Sequence, residues 1–334
     1  MTESTRELVI VGVGSAPFDA LLEILEERKT VTPAELKLLA ADEAEVDPQV
    51  FANRSVPVQS LKEFAFTPEQ VVLLLAAGET ATAALAKAES AGAWVVDAAG
   101  ISRGDESVAL VHPLLNPALL NERDEQDRKV IAVPGAGAAM LAEALYPLKS
   151  QLQSVEVVLN QPVSALGKRS VDAAAAQTAR LFNGQEPEVD ETTGQRLAFN
   201  HLSSAEAPLE SGHSFSELAL ILELRRLLGE EVALDATVNT ASVFHGQLAN
   251  LSVQLKDEQP LDTVRGLLAN GVRLEMRERP SAQDAVGSEN TLLGRLRSGL
   301  INPRQVVFCA ASDNLRKDVA INCVQIVHLL LKTH

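Results

Sequence analysis

Along residues 1–133, short apolar runs alternate with stretches of helical period. Leu8–Val11 has the pattern of a buried strand and stops at Gly12; the following Pro17–Arg28 carries Leu21, Leu22, Ile24 and Leu25 on one face, with acids outside it. Pro17 suits a first helical position, where its missing N–H would be unpaired in any case. Glu35–Ala40, Val71–Ala76, Trp94–Asp97 and Val130–Val133 read as further buried strands, rich in leucine or β-branched residues. Glu79–Ala91, rich in alanine, reads as a helix between two of them. Strand–helix–strand units of this kind predict a parallel, doubly wound α/β sheet with helices on its faces.

From Pro134 the pattern changes. Helical periods occur at Ala138–Lys149, Ser170–Phe182, Ser216–Leu228 and Leu261–Asn270, and strand patterns at Val155–Asn160, Ala233–Val243, Asn250–Lys256 and Val306–Ala310. The long intervals between them predict an α+β domain with a mixed sheet. The polar interval Asn183–Phe215 reads as an irregular loop or arm. A closing helix is expected over Asp313–Lys332, with Leu315, Val319, Cys323, Ile326, Val327 and Leu330 on one face. The expected division is therefore 1–133 plus 313–334 for the first domain and 134–312 for the second.

Composition narrows the partners. The 334 residues suit two domains of average size, and 46% apolar with 22% charged residues describes an ordinary globular protein. Lys and Arg number 29 against 45 acids, a formal charge of −16, and no basic cluster offsets it. Such a surface repels polyphosphates and argues against nucleic acid or an anionic membrane as partner. At 3%, aromatic residues are also too few for base stacking. No apolar stretch approaches the roughly 18 residues of a membrane span. Two cysteines, Cys309 and Cys323, without metal-ligand spacing fit a reducing cytoplasm and argue against structural zinc.

The turn Gly12, Gly14, Pro17 between a strand and a helix is the right context for holding a phosphate at a helix N-terminus. A third glycine is absent, and Pro17 and Phe18 stand where close backbone approach would be wanted. Asp42 and Glu43, at the end of the second strand, could accept from a ribose 2′-hydroxyl and would repel a 2′-phosphate. Two readings remain: a degraded dinucleotide site, or a strand–helix turn that merely needs glycine.

At Ala132–Gly137, followed by a helix, the chain begins to resemble the aspartate-semialdehyde dehydrogenase family, most closely its usg-type paralogues. Val163–Arg169, Ala198–Asn200, Gly294–Arg297 and Asp313–Lys317 carry the resemblance further, and it covers nearly the whole chain. It implies a Rossmann-type parallel-sheet domain plus an α+β domain that supplies substrate contacts and a homodimer interface. NAD or NADP is the cofactor implied, held at Gly12, Gly14, Asp42 and Asn314, with a small anionic ligand and a setting in amino-acid biosynthesis.

The resemblance also implies which reactive groups should be present, and most are not. The family's nucleophilic cysteine, in a Pro-Asn-Cys-Ser/Thr turn, matches Ala136. Its Gly-His-Ser base matches Gln247, and the arginine seven residues earlier, which grips the substrate carboxylate, matches Thr240. The glutamate and lysine of a substrate-binding helix match Ser216 and Ala219, although Glu217 and Glu223 keep the frame. Gln161 and Arg103 match the retained glutamine and phosphate-holding arginine. Ala41 and Glu43 stand for the Ser and Arg that hold a 2′-phosphate, and Ala165 and Leu166 for the Gly-Ala of a cofactor turn. His245, two residues from Gln247, would lie roughly 7 Å away along an extended strand, too far to serve the same atom. A catalytically inactive paralogue that binds or scaffolds is expected; an NAD(P)-dependent oxidoreductase of altered chemistry is the alternative.

Overall fold

The computed structural model describes residues 6–41, 47–120 and 128–332, which divide into two compact units, 1–135 with 319–334 and 136–318. The expected boundaries, 133/134 and 312/313, lie two and six residues earlier in the chain.

The first unit holds β1 (Glu7–Val11), α1 (Phe18–Glu27), β2 (Leu36–Ala40), β3 (Gln49–Phe51), β4 (Arg54–Val56), β5 (Val58–Ser60), β6 (Gln70–Leu74), α2 (Gly78–Ser90), β7 (Trp94–Asp97), β8 (Ala109–Leu110) and β9 (Val130–Ala132). Seven strands form one sheet in the order β5-β2-β1-β6-β7-β9-β8, with every pairing parallel. The expected doubly wound sheet is present. The short strands β3, β4, β5 and β8 had no readable pattern, being two or three residues long.

Strand order reverses between β1 and β6, and Gly12 sits at that reversal. Its φ is +117°, and a Cβ there would collide with the backbone of Leu75 and Ala76 beyond β6. Pro17 caps α1 from outside as its N-cap and is not the first helical residue, because its own carbonyl already accepts from Leu21 N at 3.0 Å. Leu21, Leu22, Ile24 and Leu25 enter a core shared with Cys323, Ile326, Val327 and Leu330 of the C-terminal helix Asn322–Lys332.

That closing helix is not continuous. Arg316–Ile321 is a π-helical segment, and Asp318 N donates to Asp313 O at 3.1 Å, five residues back. The wider turn rotates Lys317 and Asp318 inward and leaves Leu315 and Val319 only half-buried. Extrapolating an α period through this segment is what misplaces the expected apolar face.

The second unit contains α3 (Ala136–Leu145), β10 (Leu152–Pro162), α4 (Lys168–Phe182), β11 (His201–Leu202), α5 (Phe215–Leu228), β12 (Ala233–Ala241), β13 (Gln247–Leu255), α6 (Leu261–Ala269), β14 (Leu274–Arg277), α7 (Ala282–Ala285), β15 (Thr291–Ser298) and β16 (Gln305–Ser312). Its sheet runs β11-β12-β10-β13-β16-β15-β14 and is mixed: β10/β12 and β14/β15 are parallel, the other pairs antiparallel. β14 and β15 went unread because Gly294 and three arginines interrupt their apolar pattern. Along β12, Ala236, Val238 and Thr240 share the buried face. The interval 183–214 is largely irregular. Its Leu197 and Leu202 join Val163 and Ala174 in a small core, and Gln177 Oε1 accepts from Leu197 N and Ala198 N at 2.8 and 3.0 Å.

Candidate functional site

In the second unit a fully buried polar cluster surrounds the start of α3. Gln247, the first residue of β13, points its carboxamide at that helix end: Nε2 lies 2.9 Å from Ala136 O, 3.1 Å from Ser312 Oγ and 2.8 Å from Asp318 Oδ2. Ser312 Oγ also donates to Asp318 Oδ2. Lys317 Nζ donates to Asp318 Oδ1 at 2.7 Å and to Glu143 Oε2 at 2.5 Å, and Thr291 Oγ1 donates to the same Glu143 oxygen at 2.9 Å. The side chains of Lys317, Glu143 and Asp318 are 0% exposed.

Local geometry explains why Gln247 lands there. β12 ends at Ala241, and the return to β13 passes through Gly246 at φ +82°, where a Cβ would meet the backbone of Ala282. Gly246 N donates to Asn314 Oδ1 at 3.0 Å, and Asn314 Nδ2 donates to Ser164 Oγ at 3.0 Å. Asn314 thus brackets two turns with its buried carboxamide. The π turn then aims Lys317 and Asp318 at α3, whose Glu143 is the one acid in an otherwise apolar, wholly buried face.

One cation and two acids share this dry space. Burial works to lower the pKa of Lys317, but Asp318 and Glu143 outweigh it and raise it, so the ammonium stays charged. Burial, with help from the nearby Glu143 charge, pushes Asp318 up to about 6 against the pull of Lys317 and Ser312. Both carboxylates contact the Lys317 ammonium, and protonation of Asp318 relieves their mutual repulsion.

Comparison with known proteins bears on this arrangement. Residues 144–317 match the semialdehyde dehydrogenase dimerisation domain. Over 98% of both chains, this chain is 31% identical to a USG-1 protein homolog of Azotobacter vinelandii. It belongs to the semialdehyde dehydrogenase family. It is 28% identical to aspartate-semialdehyde dehydrogenase 2 of Vibrio cholerae, over 98% of each chain. The crystal structure of aspartate semialdehyde dehydrogenase II from that organism superposes with a TM-score of 0.91 over 99% of each chain, and a probable aspartate-semialdehyde dehydrogenase from Pseudomonas aeruginosa, 31% identical, with 0.88 over 98% of each.

Within this semialdehyde dehydrogenase fold, the positions expected for nucleophile and base are brought into direct contact, as Ala136 and Gln247. Thr240 and Gln161 also meet: they face each other in the parallel register of β12 and β10, and Gln161 Nε2 donates to Thr240 Oγ1 at 3.2 Å. Ser216 and Ala219 lie on the first turns of α5, where Ser216 N and Oγ donate to Glu206 at 3.0 and 2.6 Å. Glu217 completes a capping box with Ser214 and accepts from Val238 N at 3.1 Å, so its carboxylate is committed within the fold.

The first unit carries Arg103, Gly12 and Gly14. The Arg103 guanidinium donates to Val133 O at 2.8 Å and Ala98 O at 3.0 Å, below a turn in which buried Asp97 accepts from Gly100 N and Ser102 N. Gly14 has φ +81° and open space where a Cβ would stand, and the Oγ of neighbouring Ser15 is buried without a partner. Asp42 and Glu43 lie outside the described residues.

His245 is corrected in one respect: it lies in the exposed turn before β13 and not along an extended strand, so only Gln247 enters the cluster. Both cysteines are buried; burial raises the pKa of Cys309 and pushes Cys323 up to about 12, leaving no thiolate at neutral pH. Among the described residues, no group of His, Cys, Asp and Glu is placed to hold a metal, and no helix is long and apolar enough to cross a membrane. Glu143, Ser312 and Asp318 escaped the sequence reading. A lone Glu143 inside an Ala- and Leu-rich helix was the available signal.

Because its folded pKa is raised, Asp318 contributes stability below its unfolded pKa, and that contribution is lost as pH rises through about 6. Asp318→Asn removes this ionisation. Thermal melts between about pH 5 and pH 8 should show the variant gaining on the wild type as pH rises; a constant difference across that window would refute the assignment.

Proposed function

We propose that this chain is a non-catalytic aspartate-semialdehyde dehydrogenase homologue that acts by binding, as a homodimeric scaffold or receptor for a small anionic ligand. One observation carries the reading: Gln247 hydrogen-bonds to the carbonyl of Ala136, within a closed cluster, where the family's base and nucleophile are expected. Thioester formation needs a lone pair on one of these groups and a proton acceptor on the other. The methyl of Ala136 has no lone pair to offer, and a carboxamide does not take up a proton near neutral pH. Losing either role alone lowers turnover by about 10⁶. Thr240, Ser216 and Ala219 further remove the charges that would grip the substrate.

A second reading, an NAD(P)-dependent oxidoreductase of altered chemistry acting on an aldehyde or acyl group, is favoured by the glycine turn. The orphaned Ser15 Oγ beside Gly14, at the strand-order reversal, fits a cofactor phosphate. Gly12, Gly14 and Ser15 would hold the dinucleotide, which when bound supplies hydride transfer. Asn314, whose carboxamide already brackets Ser164 and Gly246, would contribute by shaping its turn. Cytoplasmic residence and a place in amino-acid biosynthesis are part of the same proposal.

Purified protein is expected to produce no NADPH from aspartate semialdehyde, NADP and phosphate. Turnover at the rate of a working dehydrogenase would remove the first reading.

If a dinucleotide binds, NAD should bind more tightly than NADP, since Asp42 and Glu43 would repel the extra phosphate. Calorimetry showing NADP as the tighter ligand would take both acids away from the ribose end.

Sedimentation equilibrium should give twice the monomer mass, as a two-fold interface above about 1,000 Å² requires. A monomer mass throughout the micromolar range would reject the homodimer and weaken the scaffold reading.

A further inference from the structure

Away from the polar cluster, the second unit holds a cleft of about 480 Å³ between α4 and the segment 188–192 of the long polar interval. Arg169, Ala173, Ala176, Gln177 and Arg180 form its α4 wall, and their spacing of three and four residues puts them on one helix face. The cleft is fastened at both ends. At one, Ser170 Oγ lies 3.4 Å from Thr192 Oγ1. At the other, Arg180 pairs with Glu188 at 2.7 Å, and Gln177 Nε2 donates to Glu188 O at 2.8 Å. Arg169 adjoins Ser170, and Asp190 is two residues from Thr192, so both line the cleft near its first end.

Two opposite charges are left open there. Asp190 is only 2% exposed. Its Oδ1 accepts from Thr193 N and Oγ1 at 2.9 and 3.0 Å, whereas Oδ2 has no partner among the described residues. Unlike the sealed Gln151 Oε1 and Gln325 Oε1, Oδ2 keeps contact with solvent, and Asp190 borders the cleft. Buried charges in native proteins are paired, so this oxygen calls for a cationic donor. Arg169 is exposed and, among the described residues, has neither a hydrogen-bond nor an ion-pair partner. It lines the same cleft as Asp190 and Glu191, yet no ion pair closes between them. Beyond these charges, Ala173 and Ala176 give an apolar floor, and Val189, 58% exposed, faces it. Arg180 and Glu188 at the far end satisfy each other and leave no unmet charge for a ligand. The volume is in the range of small-molecule sites.

We propose that this cleft binds a free α-amino acid with an aliphatic side chain. Its ammonium donates to Asp190 Oδ2, its carboxylate accepts from Arg169, and its side chain lies on Ala173 and Ala176 against Val189. An α-amino acid carries both charges on one carbon, which suits two unpaired groups at the same end of the cleft. The site shares no residue with the cluster around Gln247 or with the glycine turn, so its test is independent of turnover and of dinucleotide binding.

Leucine, 4-methylpentanoate and 3-methylbutylamine share one aliphatic body and differ by the ammonium or the carboxylate, so calorimetry on the full chain with these three probes tests the site. The wild type should bind leucine with a Kd below about 1 mM, and each of the other two about tenfold more weakly. Arg169→Gln should bind leucine and 3-methylbutylamine equally. As an exposed substitution it should melt with the wild type, so a lost preference reports on the ligand and not on folding. Asp190→Asn keeps an acceptor for Thr193 and puts an amide donor where Oδ2 stands; it should bind leucine no better than 4-methylpentanoate. Absence of saturable leucine binding to the wild type would overturn the proposal. So would a preference for leucine over the amine that survives in Arg169→Gln, or one over the acid that survives in Asp190→Asn.

Discussion

The second unit is organised around a charge that cannot leave. Lys317 is wholly buried, and taking an ammonium out of water costs several kcal/mol unless partners surround it. Glu143 on α3 and Asp318 on the π turn supply those partners, with Thr291, Ser312 and Gln247 filling the remaining hydrogen-bonding positions. Removing one member would strand the others, so the cluster ties α3, β13, β15 and β16 to the chain segment that leaves this unit.

Within this semialdehyde dehydrogenase fold, Ala136 and Gln247 meet inside the same cluster. An active site is ordinarily a place where polar groups are kept partly unsatisfied for substrate. Here the Gln247 amide nitrogen, with two hydrogens to donate, lies within reach of Ala136 O, Ser312 Oγ and Asp318 Oδ2, and Thr240 is met by Gln161 across the β10/β12 register. These contacts are made within the fold, where a low local dielectric strengthens each of them.

The first unit shows the opposite economy. Gly12 is required by the backbone of Leu75 and Ala76, a purely steric demand, whereas Ser15 Oγ and Gln325 Oε1 are buried without partners.

Much of this was legible in one dimension. Period-two and buried-run patterns marked β1, β2, β6, β7 and β9, because a strand covered on both faces needs a continuous apolar run, and α1 followed from leucines at helical spacing. The motifs around Ala136, Gln161 and Gln247 pointed to the semialdehyde dehydrogenase family. Strands of two or three residues, and β15 with its glycine and arginines, carried too few apolar positions to register. What only tertiary structure decided was where the polar side chains meet. Glu143 and Lys317 stand 174 positions apart in the chain, and the π turn that aims Lys317 and Asp318 at α3 depends on a backbone hydrogen bond to Asp313 that no side-chain pattern records. Burial and hydrogen-bond partnership are properties of packed neighbours, so the sequence could name the residues at these positions but not the cluster they form.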